Sequence, residues 1–150
     1  MKTVVVGLGN EIIADDAVGV LAARALKETV DPAVAVIETS AHGLALLDHF
    51  IGYDRAILID CVKTGKNAPG TIVELSPGAL APAYAKSPHF AGLPEMMAFA
   101  EQLQLHFPKD FRIFAIEVAD TQTLGGEMTP AVRAAIPRVC DRVRAALSRW

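Results

Sequence analysis

The stretch Thr3-Val4-Val5-Val6-Gly7-Leu8-Gly9-Asn10-Glu11-Ile12-Ile13-Ala14-Asp15-Asp16-Ala17-Val18-Gly19 decides how the rest of the chain is read. An apolar run rich in valine predicts a buried strand. Gly7 and Gly9 then allow a sharp turn and the close approach of another group. The following helix opens on two adjacent carboxylates, Asp15 and Asp16. A pair of acids in that position suits a site that handles a cation, whether a metal ion or a proton. The alternative, a dinucleotide-binding turn, needs a third glycine at position 12, where this chain has Ile12. Asp15 and Asp16 would also repel a pyrophosphate at the helix N-terminus. This turn is not built for phosphate.

Working outward, strand-like and helical patterns alternate. Strands are expected at residues 3–6, 34–37, 56–60, 71–75 and 111–118. Helical stripes are carried by Val18, Leu21, Ala22, Ala25 and Leu26, then by Leu44, Leu47, Phe50 and Ile51. A third comprises Leu93, Met96, Met97, Ala100 and Leu103, and a fourth Val132, Ile136, Val139, Cys140, Val143 and Leu147. Thr129-Pro130 opens the last as N-cap and first helical residue, and Pro137 is expected to kink it. Only residues 61–70 separate the third strand from the fourth. A parallel crossover takes about a dozen residues or more, so the fourth strand is expected to be antiparallel. The fold class is α/β: a three-layer α/β/α sandwich around a mixed, mostly parallel five-stranded sheet.

Composition excludes several classes of function. The 150 residues are 52% hydrophobic with a mean hydropathy of +0.34, which suits one folded domain over residues 1–150 and argues against disorder. No apolar run approaches the ~18 residues of a membrane span. A net charge of −3 lacks the basic footprint of a nucleic-acid binder. The two cysteines, Cys61 and Cys140, form no Cys-x-x-Cys pair. With no secretory signal pattern at the N-terminus, a reduced, cytoplasmic protein is expected.

The candidate site follows from strand ends. In open α/β sheets, ligands bind beyond the carboxyl ends of the strands where the winding reverses. Asp16 follows the first strand and Asp60 ends the third. If those strands are neighbours, both acids face one crevice. Residues 76–90 contain Pro77, Gly78, Pro82 and Pro88 without any period, and lead to His89. Long irregular segments inside compact domains are often lids or binding loops. Two carboxylates and an imidazole suit a divalent transition metal with open positions, or equally a general acid/base pair. Each residue also has a plainer role: Asp15 as a helix cap, Asp60 as the start of a turn, His89 as a surface residue.

Several features together resemble the [NiFe]-hydrogenase maturation endopeptidases. They are Gly7-x-Gly9-Asn10 with Asp15-Asp16 and Gly19, the Asp60 strand end, Asn67-Ala68-Pro69-Gly70-Thr71, Ser87-Pro88-His89 with Gly92-Leu93, and the helix opened by Thr129-Pro130. The resemblance implies an endopeptidase that removes a short C-terminal extension from the hydrogenase large-subunit precursor after nickel insertion. It assigns Asp16, Asp60 and His89 to nickel recognition and makes Asp16 and Asp60 the candidate catalytic carboxylates. Nickel would arrive with the substrate, other divalent ions standing in for it in the isolated protein. The expected partner is the large-subunit precursor, with no nucleic acid and no membrane span, and the expected state is a monomer. Ala17 replaces a glycine frequent in the family, and His42 stands where relatives carry small residues; it is read as a surface residue or a fourth polar group at the mouth. No His-Glu-x-x-His pair is present, and Cys61 reads as a small buried residue. Aspartic-type and metal-assisted hydrolysis both stay open. The competing readings are a non-catalytic checkpoint that senses nickel-loaded precursor and a nucleotide-binding α/β domain.

Overall fold

The computed structural model describes residues 1–41, 43–79, 90 and 92–150. Five strands form one sheet: β1 (Thr3–Leu8), β2 (Ala35–Thr39), β3 (Arg55–Val62), β4 (Ile72–Leu75) and β5 (Asp110–Glu117), in the order β2-β1-β3-β5-β4. The pairs β1·β2, β1·β3 and β3·β5 are parallel. β4 runs antiparallel to β5 at the edge, with Ile72 opposite Ile116 and Leu75 opposite Ile113. The short connection to β4 had room for a reversal and not for a crossover helix.

Among the described residues the helices are α1 (Val18–Leu26), the single turn α2 (Leu44–Leu47), α3 (Leu93–Gln102) and α4 (Pro130–Ser148), with 3-10 turns at Asp15–Ala17 and Pro77–Ala79. Alternation along the strands divides the core into two. Val5, Ile57 and Ile59 pack with Val18, Ala22 and Leu26 of α1 and with Val132, Val139 and Val143 of α4. Val4, Val6 and Leu58 pack on the other face with Leu46, Leu47, Phe50, Leu93 and Met96. The sheet is therefore covered on both sides, as its near-continuous apolar strands require.

Three local expectations need correction. The second helical stripe is one turn of helix and then tighter turns, with His49 N–H donating to Leu46 O and Phe50 N–H to Leu47 O. That change of spacing buries Leu46 and leaves Leu44 56% exposed. Leu103 lies beyond the end of α3 and is also exposed. β3 does not stop at Asp60 but continues to Val62, because β5 pairs with it as far as Glu117.

The glycines of the opening stretch serve the chain's own packing. A Cβ on Gly7 would lie 2.3 Å from the Gly19 carbonyl oxygen, and one on Gly19 would lie 2.4 Å from Leu8 O and 2.6 Å from Ile59 O. The group that approaches closely is the backbone of α1, drawn down onto β1 and β3. At Gly9 a Cβ would meet Asp16 O at 2.1 Å, so the turn is folded against the residues that bear the acids.

Candidate active site

β1 sends the chain to β2 on one side, while β3 pairs on the other, so the winding reverses between β1 and β3. Crevices form at such a reversal, at the carboxyl ends of the strands. Pairing of β1 with β3 ends at Gly7 opposite Ile59, one residue before Asp60. The chain then turns back through Asn10 into the 3-10 turn that holds Asp16. Asp16 is 8% exposed and Asp60 fully buried.

Cys61 joins these two acids. Its thiol donates to Asp16 Oδ1 at 3.3 Å, and its backbone N–H donates to Asp60 Oδ1 at 2.7 Å. Asp16 Oδ2 also accepts from the Asn10 N–H at 2.8 Å. Burial pushes the Cys61 thiol well up, and the Asp60 and Asp16 charges and the bond to Asp16 push it the same way, so it is held as an S–H donor. Cys61 belongs to the apolar core, as a small buried residue should, but it also contacts both carboxylates. Its place directly after Asp60 was the one sequence signal for that contact.

Asp15 is not a helix cap. The 3-10 turn has no side-chain cap, and the Asp15 carboxylate instead faces the connection between β5 and α4. It accepts from Thr129 N–H (2.6 Å), Thr129 Oγ1 (2.7 Å), Asp120 N–H (2.9 Å) and Ala119 N–H (3.0 Å). Burial works to raise its pKa, but the donors at Thr129, Asp120 and Ala119 outweigh it and hold the pKa below the ordinary 3.8. Thr129 precedes Pro130 as expected, yet its hydroxyl bonds Asp15 and caps nothing in α4. Asp15 thus anchors the turn bearing Asp16 to a segment more than a hundred residues away.

Glu117, at the end of β5, was not anticipated. It is 3% exposed and accepts from Thr64 N–H at 2.8 Å, Gly65 N–H at 3.2 Å and the Thr64 hydroxyl. Its donors come from a loop distant in sequence, which no local spacing could reveal. They commit it to holding the β3–β4 connection beside the crevice. Arg24 does similar work on the other side, paired with Glu11 at 2.8 Å and Glu38 at 2.7 Å.

A cavity of 300 Å³ opens beside Asn10, lined by Gly9, Glu11, Val20, Glu38, Thr39 and Ser40. A larger one, 470 Å³, lies at the amino ends of the strands near Arg55, Arg144 and Trp150, away from the acids. Asp16 and Asp60 lie at the opposite, carboxyl edge. His89 and His42 lie outside the described residues. Among the described residues, no cluster of three His, Cys, Asp or Glu side chains is arranged to hold a metal ion.

Comparison with known proteins decides the family. Residues 20–146 match the model of the hydrogenase maturation proteases. The chain belongs to the hydrogenase maturation protease family. It is 29% identical over 151 residues to the hydrogenase 2 maturation protease of Escherichia coli (strain K12), covering 98% of this chain and 91% of the relative. It is 26% identical to the hydrogenase expression/formation protein HupD of Rhizobium leguminosarum bv. viciae, covering 99% and 75%. Among solved structures, the hydrogenase maturating endopeptidase HybD from E. coli superposes with a TM-score of 0.83 at 27% identity, over 99% of this chain and 93% of that one. HybD from Thermococcus kodakarensis gives 0.72 at 25% identity, over 97% and 99%. Family membership makes this protein an endopeptidase, a hydrolase, and the mixed five-stranded sheet is the family's fold. The glycines of the opening turn are accounted for by packing against the chain's own backbone.

Proposed function

We propose that this protease removes the C-terminal extension from a [NiFe]-hydrogenase large-subunit precursor once nickel has been inserted, acting in the cytoplasm. The observation that carries the reading is the convergence of Asp16 and Asp60 on Cys61 at the sheet's switch point, in a chain of this family. In this reading nickel belongs to the substrate. Asp16, Asp60 and His89 recognise it, filling positions that the precursor's own ligands leave open. The metal docks the precursor, and one of the two carboxylates takes a proton from water. The water oxygen bonds to the scissile carbonyl carbon, the C–N bond breaks, and the proton passes to the leaving amine.

The enclosure of the two acids supports this division of labour: Asp60 is fully buried, Asp16 is 8% exposed, and both are held by Cys61. The test is to incubate purified protein with nickel-containing and nickel-free precursor and to follow the precursor's mass. Loss of a C-terminal fragment from the nickel-containing form alone is expected. An intact precursor under both conditions would instead indicate a checkpoint that binds without cutting, and equal cleavage of both forms would remove nickel from the recognition step.

A further inference from the structure

We propose that Cys61 is a positioning residue for the cleavage: its thiol fixes the Asp16 carboxylate against β3, beside Asp60; this rests on the endopeptidase reading above and deepens it. The register of β3 explains why such a residue is needed. Side chains alternate along a strand, so Ile57, Ile59 and Cys61 turn to the face covered by α1 and α4, and Leu58 and Val62 turn to the other. Asp60 shares the register of Leu58 and Val62, whereas Asp16 arrives in the turn that runs directly into α1. The two acids therefore reach the crevice from opposite sides of the sheet. Cys61 meets both, its backbone N–H donating to Asp60 Oδ1 at 2.7 Å and its thiol to Asp16 Oδ1 at 3.3 Å.

The backbone of the turn has anchors of its own. Ile13 pairs with Leu124 in an isolated antiparallel bridge, the Ala14 N–H donates to Thr123 O at 3.1 Å, and the Asp15 N–H donates to Asp120 O at 2.9 Å. These bonds place the main chain at Asp16 and leave its side-chain torsions to other contacts. The Asn10 N–H holds Asp16 Oδ2 at 2.8 Å from within the same turn. Cys61 holds Oδ1 from β3. Donors on both oxygens, one from each element, fix the plane of the carboxylate and tie it to the strand that carries Asp60. Placement of this kind matters to rate, since a shift of about 1 Å at a reacting group can cost on the order of 100-fold.

Cys61 is also 2% exposed within an apolar core, and packing alone would suit a small residue there. Two substitutions separate the roles. Cys61→Ala removes the donor and keeps the backbone N–H that holds Asp60, while Cys61→Ser restores a donor as O–H. At a temperature where thermal melts show each variant fully folded, kcat/KM for nickel-loaded precursor should fall about tenfold in Cys61→Ala, less than the full effect of misplacement because a thiol is a weak donor. Cys61→Ser should recover most of that loss. Packing predicts the opposite order, because alanine is apolar and serine sets a hydroxyl among apolar side chains. Parent-level cleavage by Cys61→Ala, or a Cys61→Ser variant no better than Cys61→Ala, would overturn the role.

An infrared measurement reads the bond itself and needs no change at Cys61. The chain has two thiols, Cys61 and Cys140, and the second bonds Ala22 O at 3.5 Å, away from the acids. Asp16→Asn should move one of the two S–H stretching bands to higher wavenumber and leave the other in place, because a neutral amide oxygen is a weaker acceptor than a carboxylate. Two unmoved bands would show that the thiol does not hold Asp16 and would overturn the proposal. A parent protein that cuts the precursor while Cys61→Ala cuts it equally well overturns the positioning role alone. A parent protein that leaves nickel-loaded precursor intact overturns the endopeptidase reading, and this role with it.

Discussion

Asp15 and Asp16 are the same side chain at consecutive positions, and their surroundings give them different work. Asp15 accepts four hydrogen bonds from the β5–α4 connection, whereas Asp16 is held by Asn10 and Cys61 at the crevice. Asp15→Asn should therefore act on stability: an amide presents donors to a pocket of donors, at a cost of roughly 2–3 kcal/mol at neutral pH. Because the folded pKa of Asp15 is depressed below 3.8, its contribution is fully present above the unfolded value and is lost as pH falls through the folded one. The gap in stability between parent and Asp15→Asn should accordingly narrow below about pH 4, as the unfolded chain begins to take up the proton. Chemical denaturation at a series of pH values measures it, and a gap that widens on acidification would refute the assignment. Asp16→Asn and Asp60→Asn should do the reverse, abolishing precursor processing with the fold retained, since metal recognition and proton abstraction both need an ionised carboxylate. Processing at the parent rate by either variant, followed by mass spectrometry, would remove that residue from the site.

The descent of α1 onto the sheet brings Asp16 to β3, and it depends on the absence of a side chain at two crossing positions. Gly19→Ala would push a methyl group into Leu8 O and Ile59 O, both backbone atoms that can yield only if the helix lifts. A loss of about 3 kcal/mol is expected, the scale of overpacking in a tight core. Gly78→Ala, where no described residue lies within 4 Å, should be close to neutral. Paired thermal melts of the two variants test this, and equal effects would show that the crossing is not sterically limited. Patterns of this kind explain what the sequence could reveal. Apolar runs and period-3.6 spacing are local signals, and they foretold five strands and the burial of α1 and α4, while the short connection over 61–70 foretold the antiparallel β4. Where packing across the fold decides, local spacing misleads: Leu44 fits its stripe and is exposed, and Thr129 fits a cap and bonds Asp15. Glu117 and the bridge between Ile13 and Leu124 carried no readable signal, because their partners lie 53 and 111 residues away. The position of Asp16 and Asp60 side by side at the carboxyl edge was legible because a topological rule, and not a contact, puts them there.

Two separate apolar cores, one on each face of the sheet, hold the fold together through β1 and β3. Folding on that basis is expected to need no metal, unlike small domains whose cores are too slight to form without one. The candidate ligands also belong to an open set: two carboxylates and an imidazole leave positions to be filled from outside, in contrast to the closed four-ligand sites that contribute to folding. The proposed delivery of nickel by the substrate would require that openness, since a protease that retained the ion could not read whether the precursor carries it. Treatment with a chelator should therefore shift the melting temperature by less than about 2 °C, well inside the effect of a single kcal/mol on a chain of this size. Nickel added to the isolated protein should bind weakly and reversibly, and its removal should leave the two core faces packed as before. Thermal melts combined with metal analysis after gel filtration measure both quantities. Stoichiometric nickel retained through filtration, or a melt that collapses on chelation, would identify a resident metal and reverse the direction in which nickel is supposed to arrive.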